Sequence, residues 1–526
     1  MAELKVEIVP WGPAQEELEA AASTALGHPD VEAELDGVDH RLLSVAGVEP
    51  AAEADDEDAG EPGRVQATVY DYTNERALIV ETRLDGGEDV AVRETVRQPL
   101  PTGDEFDAAL ETLAGDPELG RALRSGDLRP YRPMPPLLLE AQPDGTVERT
   151  LAVGLRPATQ ADDAHEIVGV KLARGEVVHF EGNAPASARA QAASCGVDDA
   201  RQRTTGRGTP GRARVTVKRD GETLWTLVVV RPAASSGTNG SGVELRRVAY
   251  RGKRVLRRAH VPILNVRYRR DACGPFRDWQ FEEGMFSARG ADVAPGFRLC
   301  PTKARTILES GRDRGNFRGV AVYVDGDEVV LVSELEAGWY RYISRWRLHA
   351  DGTIEPRFGF GAVENSCVCR LHHHHAYWRL DFDVAGGARN EVREFNDPPL
   401  PGRGNWHGLR NEIRRKRDRR RKRRWQVRNT ASGESYTLIP GANDGRADAF
   451  GVGDLWALRH RPGQLDDGVG FTTDPAEARA GLNRFLNGES IRDTNVVLWY
   501  ASHFAHDLHE HEVGHIVGPR LVPDDW

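Results

Sequence analysis

The segment Leu371-His372-His373-His374-His375-Ala376-Tyr377-Trp378-Arg379-Leu380-Asp381-Phe382-Asp383 sets the reading of this 526-residue chain. Its flanking pattern is extended, so His372 and His374 share one strand face and His373 and His375 the other. Two neutral imidazoles on one face form half of a metal site, and a third from elsewhere would complete a copper or zinc shell. A solvated, tag-like histidine run is the alternative, and the internal position ahead of Tyr377-Trp378-Arg379-Leu380-Asp381 argues against it. Histidine is unevenly used: nine of the 17 fall in His372 to His375 and in His503 to His515.

Outward from this segment, Val215 and Val217, Leu224 to Val230, Val329 to Val332 and Thr494 to Tyr500 are β-rich runs separated by Gly, Pro, Asp and Asn. They predict a large all-β sandwich over 200–526. Upstream, Val65, Ala67 and Val69 alternate with polar residues, and Ala77 to Val80 continues the pattern after a turn. Phe106, Ala109, Leu110 and Leu113 then fall on one helical face, and Asp116-Pro117 opens a short helix closed by Gly126. A small α+β domain over 63–190 follows. Leu4, Val6 and Ile8, with a helix through Glu16 to Ala25, predict a partial α+β domain over 1–55, set off by the Ala, Gly, Pro, Asp and Glu linker from Glu49 to Pro62. The expected fold class is therefore small α+β N-terminal domains followed by a large all-β sandwich.

Composition bounds the function. No apolar run approaches the roughly 20 residues of a membrane span, so a soluble chain is expected. The start lacks the basic flank and apolar core of a secretory signal, which favours a cytoplasmic location. The odd set Cys195, Cys273, Cys300, Cys367 and Cys369 argues against a disulfide framework, and structural bridges are not expected. If one strand runs from 367 to 375, Cys367 and Cys369 share the face of His373 and His375; buried thiols acting as small apolar groups are the expectation there. A net charge of -11 argues against a nucleic-acid coat. A local exception is the run Arg414 to Arg424, ten of whose eleven residues are Lys or Arg. An exposed arginine-rich connection is expected over a polyanion site, because no aromatic residues interleave it.

His511-Glu512-Val513-Gly514-His515 fits the H-E-x-x-H pattern of zinc proteases, which requires both histidines one helical turn apart. Gly514, Gly518 and Pro519 oppose a helix, and Leu521 stands where a third ligand would fall. A protease is not expected.

Three segments belong together: the histidine stretch with its Arg379-Leu380-Asp381, the segment Gly338-Trp339-Tyr340-Arg341-Tyr342 ahead of Trp346 and Asp351-Gly352-Thr353-Ile354-Glu355, and Val496-Val497-Leu498-Trp499-Tyr500 running on to His506. With Arg424-Trp425-Gln426-Val427, Tyr436 to Gly441 and Asp454-Leu455-Trp456, they resemble a divergent copper amine oxidase. Pro101-Thr102, Phe106 and Asp116-Pro117-Glu118 resemble the small domain that precedes the catalytic β-sandwich in that family. The resemblance implies copper held by His372, His374 and His506, and Tyr340 as the tyrosine self-processed by copper and dioxygen into topaquinone. Tyr268 stands where the family keeps a tyrosine bonded to the cofactor oxygen, and Glu282, in Phe281-Glu282-Glu283-Gly284, where its proton-abstracting aspartate stands. It further implies oxidation of a primary amine to an aldehyde by O2, with hydrogen peroxide and ammonia released, in a homodimer. Cys300 is implied to have lost its disulfide partner.

The departures are specific. Trp339 replaces the asparagine before the cofactor tyrosine, at the cofactor-binding position, and Arg341 replaces the acidic residue after it. Asp381 and Asp383 match a pair that holds a calcium-like second ion in relatives; Asn495 replaces the third carboxylate, so weak or absent binding is expected. Two alternatives stay open: a quinone-free copper and dioxygen oxidation with unmodified Tyr340, and a non-catalytic copper-binding relative.

Overall fold

Alternating apolar residues build two large sheets that face each other across one core. The structure, a computed structural model, describes residues 3–48, 63–86, 89–95, 98–141, 147–158, 166–179, 195–198, 204–268, 275–365, 367–386, 389–472, 474–506 and 515–526. Among these residues, one sheet has ten strands, with the histidine strand His372–Phe382 between Lys253–Tyr268 and Val496–His506. The other has twelve, with Tyr340–His349 between Glu328–Ala337 and Ile354–Ala362. Pairing within these two groups is antiparallel.

The strand periodicity places the side chains. Ala376, Trp378, Leu380 and Phe382 enter the main core, as do Leu498 and Tyr500 of the neighbouring strand and Tyr340, Tyr342, Trp346 and Leu348 of the opposite sheet. Tyr377, Val497, Trp499 and Ala501 instead face a second cluster with Trp456, Leu482 and Phe485. The histidine strand is thus buried on both faces, which explains its lack of a simple polar and apolar alternation. Burying a large apolar side chain stabilises by roughly 1.5–3 kcal/mol, so this aromatic layer anchors the strand firmly.

The sheets divide the N-terminal part differently from the expected boundaries. Lys5–Pro10 pairs with Arg212–Arg219 and so belongs to the ten-stranded sheet. His40–Val48 pairs with Arg64–Asp71 in a four-stranded sheet that carries the helix Gln15–Leu26. A separate five-stranded sheet, containing Val147–Pro157, holds the helix Gly103–Ala114. Local alternation marked Lys5–Pro10 and Arg64–Asp71 but not His40–Val48 or Val147–Pro157, and pairing partners are set by long-range contacts that a single sequence does not display. Asp116 does not open the short helix as expected: its Oδ1 accepts from the backbone N–H of Glu118 and Leu119 in the turn ahead of it, and the helix Gly120–Ser125 begins after Leu119; Gly126 does close it, at φ 80°.

The expectation of no structural bridge is overturned, because Cys195 and Cys369 form a disulfide. Their Cα atoms lie 5.1 Å apart, within the bridging range, although 174 residues separate them in sequence. Cys367 is also disulfide-bonded, whereas Cys300 is free and buried. An odd cysteine count therefore hid paired cysteines, and the argument for a reducing compartment is lost. The 367–375 strand is also not continuous: residues 367–370 form a turn, and the strand begins at His372. No helix among the described residues is long and apolar enough to cross a membrane.

Candidate metal centre

Sheet register brings the histidines together. His372 pairs with His506 on one side and with Tyr268 on the other, so all three point into the space between the sheets. His374, two residues along, joins them. Among the described residues, these three histidines are the one group of metal-ligating side chains that converges, with one ring nitrogen from each within 4.8 Å of the others. His372 and His374 are fully enclosed and His506 is buried. Burial holds the imidazoles neutral: His372 falls to about 3 and His374 well below the ordinary histidine range, with neighbouring histidines adding to the shift.

The hydrogen bonds define the donor set. His372 Nδ1 meets the carbonyl oxygen of Arg370 at 2.5 Å, which makes it the protonated nitrogen and leaves the Nε2 lone pair facing the site. His506 Nδ1 lies 3.1 Å from that same Nε2. Neither nitrogen of His374 has a hydrogen-bond partner, although its ring is enclosed and stacked on Phe360 at 4.4 Å. An orphaned buried imidazole is costly in an apolar setting unless a further group engages it. Three neutral imidazoles suit copper or zinc.

Tyr340 reaches this centre from the opposite sheet. Gly338 and Trp339 are the two central residues of the hairpin joining Glu328–Ala337 to Tyr340–His349, because Ala337 pairs with Tyr340. Gly338 takes φ 56°, as a tight hairpin turn requires at its first central position, and a Cβ there would also strike Met134. The Tyr340 hydroxyl then sits 2.7 Å from His372 Nε2 and 2.5 Å from the Tyr268 hydroxyl. The indole N–H of Trp339 donates to the Tyr268 oxygen at 3.0 Å. A directed chain results: Trp339 donates to Tyr268, Tyr268 to Tyr340, and Tyr340 to His372. Arg341 turns to the far side of its sheet, where it binds Asp313 at 2.7 and 3.0 Å.

Glu282 lies elsewhere. Arg132 Nη1 contacts both carboxylate oxygens at 3.0 Å, and Glu336 and Arg341 adjoin this pair. Burial pushes the Glu282 carboxyl up while Arg132 opposes the shift. Its environment is an ion-pair cluster on the Arg341 side of the strand rather than the Tyr340 side. Asp381, Asp383 and Asn495 stand at the far end of their strands. Asp381 is 2.9 Å from His460 Nδ1 and 3.3 Å from Arg379 Nη1, and Asp383 is 3.6 Å from Arg257 Nη2. Guanidinium groups thus stand beside both carboxylates.

Three residues near the centre escaped the sequence reading. Tyr342 stacks on Tyr340 with ring centroids 5.2 Å apart, and its hydroxyl donates to the buried carboxylate of Asp278. The His515 ring packs 4.7 Å from that of His506. His515 leads into the short strand Ile516–Val517, not a helix, while the rest of the H-E-x-x-H segment lies outside the described residues. Alternation from Tyr340 could have pointed to Tyr342; the other two come together only through tertiary contacts.

The basic run is largely satisfied within the fold. Arg415 pairs with Glu394 at 3.0 Å, Arg417 with Asp454 at 3.2 Å and Lys422 with Asp397 at 2.9 Å. Arg424 lies over the Phe395 ring at 4.1 Å.

No protein-family model and no curated protein matches the sequence. Solved structures do match in fold. The chain is similar to a copper-containing benzylamine oxidase from Hansenula polymorpha at TM-score 0.62 and 12% identity, covering 98% of each chain. It is similar to an Aspergillus nidulans amine oxidase at TM-score 0.59 and 12% identity, covering 98% of this chain and 88% of that one. A Pichia pastoris lysyl oxidase follows at TM-score 0.54 and 12% identity, with coverages of 98% and 90%. The chain therefore has the fold seen in copper-containing amine oxidases. At this identity the likeness establishes the fold alone.

Proposed function

We propose that this protein is a copper-dependent oxidase of primary amines, with Tyr340 as the precursor of a topaquinone cofactor. The observation that carries the reading is the buried convergence of His372, His374 and His506, with the Tyr340 hydroxyl on the same His372 nitrogen that faces His506. The residues fit copper: three neutral imidazoles, one of them orphaned on both nitrogens, and no carboxylate among them. The fold likeness supports the same class.

Bound copper would supply the dioxygen chemistry that oxidises the Tyr340 ring, and the quinone would supply the electrophilic carbonyl for amine oxidation. The net reaction joins amine, O2 and water to give aldehyde, hydrogen peroxide and ammonia. The chain's own residues orient and enclose the Tyr340 ring for it. Tyr268 bonds the Tyr340 oxygen, and Trp339 bonds Tyr268, so the phenol is oriented from two residues away. Full enclosure of Tyr340 keeps bulk water from its ring. A homodimer belongs to this reading. A calcium-like second ion does not, because the guanidinium groups of Arg379 and Arg257 already stand against its carboxylates.

The Trp339 indole favours a second reading in which copper and dioxygen act on substrate while Tyr340 stays a tyrosine. Its hydrogen bond holds Tyr268 and Tyr340 as a pair of coupled phenols. Peptide mass of Tyr340 after copper loading in air, with a parallel sample treated with phenylhydrazine, separates the two. A quinone mass and a hydrazone adduct support the first; unmodified Tyr340 with copper fully bound rejects it in favour of the second.

A further inference from the structure

Asp278 is a fully buried carboxyl on the same side of the strand as Tyr340. One oxygen accepts the Tyr342 hydroxyl, and Oδ1 has no hydrogen-bond partner. Tyr342 is itself stacked on Tyr340 at an interplanar angle of 13°. Asp278 N–H donates to the Leu264 carbonyl at 2.9 Å, which fixes the residue beside the strand that also carries Tyr268. Among the described residues, the groups facing it are the phenols of Tyr342, Tyr340 and Tyr268, and no guanidinium or ammonium adjoins it. Glu282, four residues further on, is bound by Arg132 through both oxygens.

We infer that Asp278, positioned by Tyr342, is the carboxyl that holds and exchanges a proton beside Tyr340, while Glu282 is a counter-ion for Arg132. The inference rests on the amine oxidase reading for the ligand it would serve, but the proton-holding itself is a property of the copper-free chain. A carboxyl sealed from water with no cation nearby keeps its proton unless a hydrogen bond favours the anion. Burial accordingly pushes Asp278 up to about 7, and the Tyr342 hydroxyl is the group that opposes the shift. A group poised there can give up and regain a proton near neutral pH, as acid and base chemistry demands. On binding a primary ammonium, its proton would pass to solvent and leave a carboxylate opposite the cation.

The test uses infrared spectroscopy of the copper-free full chain as a function of pH, comparing wild type with Asp278→Asn, Glu282→Gln and Tyr342→Phe. A protonated-carboxyl band that disappears with a midpoint near neutrality is expected in wild type. The Asp278 component of that band should be lost in Asp278→Asn, retained in Glu282→Gln, and shifted to a higher midpoint in Tyr342→Phe, because a hydrogen bond that favours the anion is gone; the buried carboxyls of Glu334 and Glu336, pushed up to about 8 and about 7, keep their own components in Asp278→Asn. A band unchanged in Asp278→Asn overturns the inference, and so does an unshifted midpoint in Tyr342→Phe. After copper loading, amine-dependent bleaching of the visible chromophore should lose its neutral-range pH dependence in Asp278→Asn, with partial recovery in Asp278→Glu. A wild-type pH profile in Asp278→Asn also overturns it. If wild-type Tyr340 stays unmodified, the amine oxidase reading fails and the ligand role falls with it; the infrared series then decides the proton-holding role separately.

Discussion

The Tyr340 hydroxyl lies 2.7 Å from His372 Nε2, although the two residues belong to different sheets. Because His372 Nδ1 is committed to the Arg370 carbonyl, that Nε2 carries the ring's one available lone pair. It can be given to the phenol or to a metal ion, so copper binding and the resting hydrogen bond compete.

This competition fixes an order of metal affinities. His374→Ala removes the imidazole with no other partner and should lower copper affinity more than about tenfold, the scale of lesser disturbances around metal ligands. His506→Ala should do the same, whereas Tyr340→Phe should bind copper at least as tightly as wild type. Elemental analysis after dialysis against a graded chelator series checks all three; full loading of His374→Ala would remove it from the ligand set.

The copper-free protein should lose stability in mild acid. His372 is held at about 3 and His503 at about 4 in the fold, against about 6.5 unfolded. Below about pH 6.5 the unfolded chain takes up protons that the folded chain refuses. Their contribution is thus complete above that pH and declines as pH falls toward 4 and then 3, by about 1.4 kcal/mol per pH unit for each imidazole. Urea midpoints at pH 7.5 and 5.0 give the measurement, and equal midpoints would contradict the burial argument.

The Arg132 and Glu282 pair should behave as one unit. Arg132→Ala strands a buried carboxylate and is expected to cost about 3–5 kcal/mol, whereas the double variant Arg132→Ala with Glu282→Gln should cost less than the sum of the single changes. Urea denaturation of the four proteins in the cycle yields the coupling, and strict additivity would show that the contact contributes nothing.

The Cys195–Cys369 bridge closes a long loop just ahead of the histidine strand. Cys195→Ala with Cys369→Ala should destabilise by roughly 2–4 kcal/mol, mainly through greater freedom of the unfolded chain. Thiol counting under non-reducing denaturation and the urea midpoint of this variant are the checks.

Charge at the basic run should act on stability rather than on polyanion binding. Arg417 bonds Asp454 and the carbonyls of Ala501, Asp444 and Gly445, so Arg417→Ala should lower the urea midpoint clearly. Heparin retention is expected to be weak and little changed by the same substitution.

Alternation alone was enough to place His372 and His374 on one face with His373 and His375 on the other, because the period of a strand is a local property of the backbone. The same signal found Val65 to Val69, a β-rich apolar run found Leu224 to Val230, and helical spacing found the helix around Phe106. The order of the copper amine oxidase-like segments carried the fold class further than composition could. What only the tertiary structure decided was partnership: that Lys5–Pro10 joins the large sheet, that Cys195 meets Cys369, and that Arg132 claims Glu282. Asp278 came to the Tyr340 site in the same way, through Tyr342. Such pairings join residues tens to hundreds of positions apart, and they are chosen by register, burial and charge compensation across the whole chain, none of which is written in any local stretch of it.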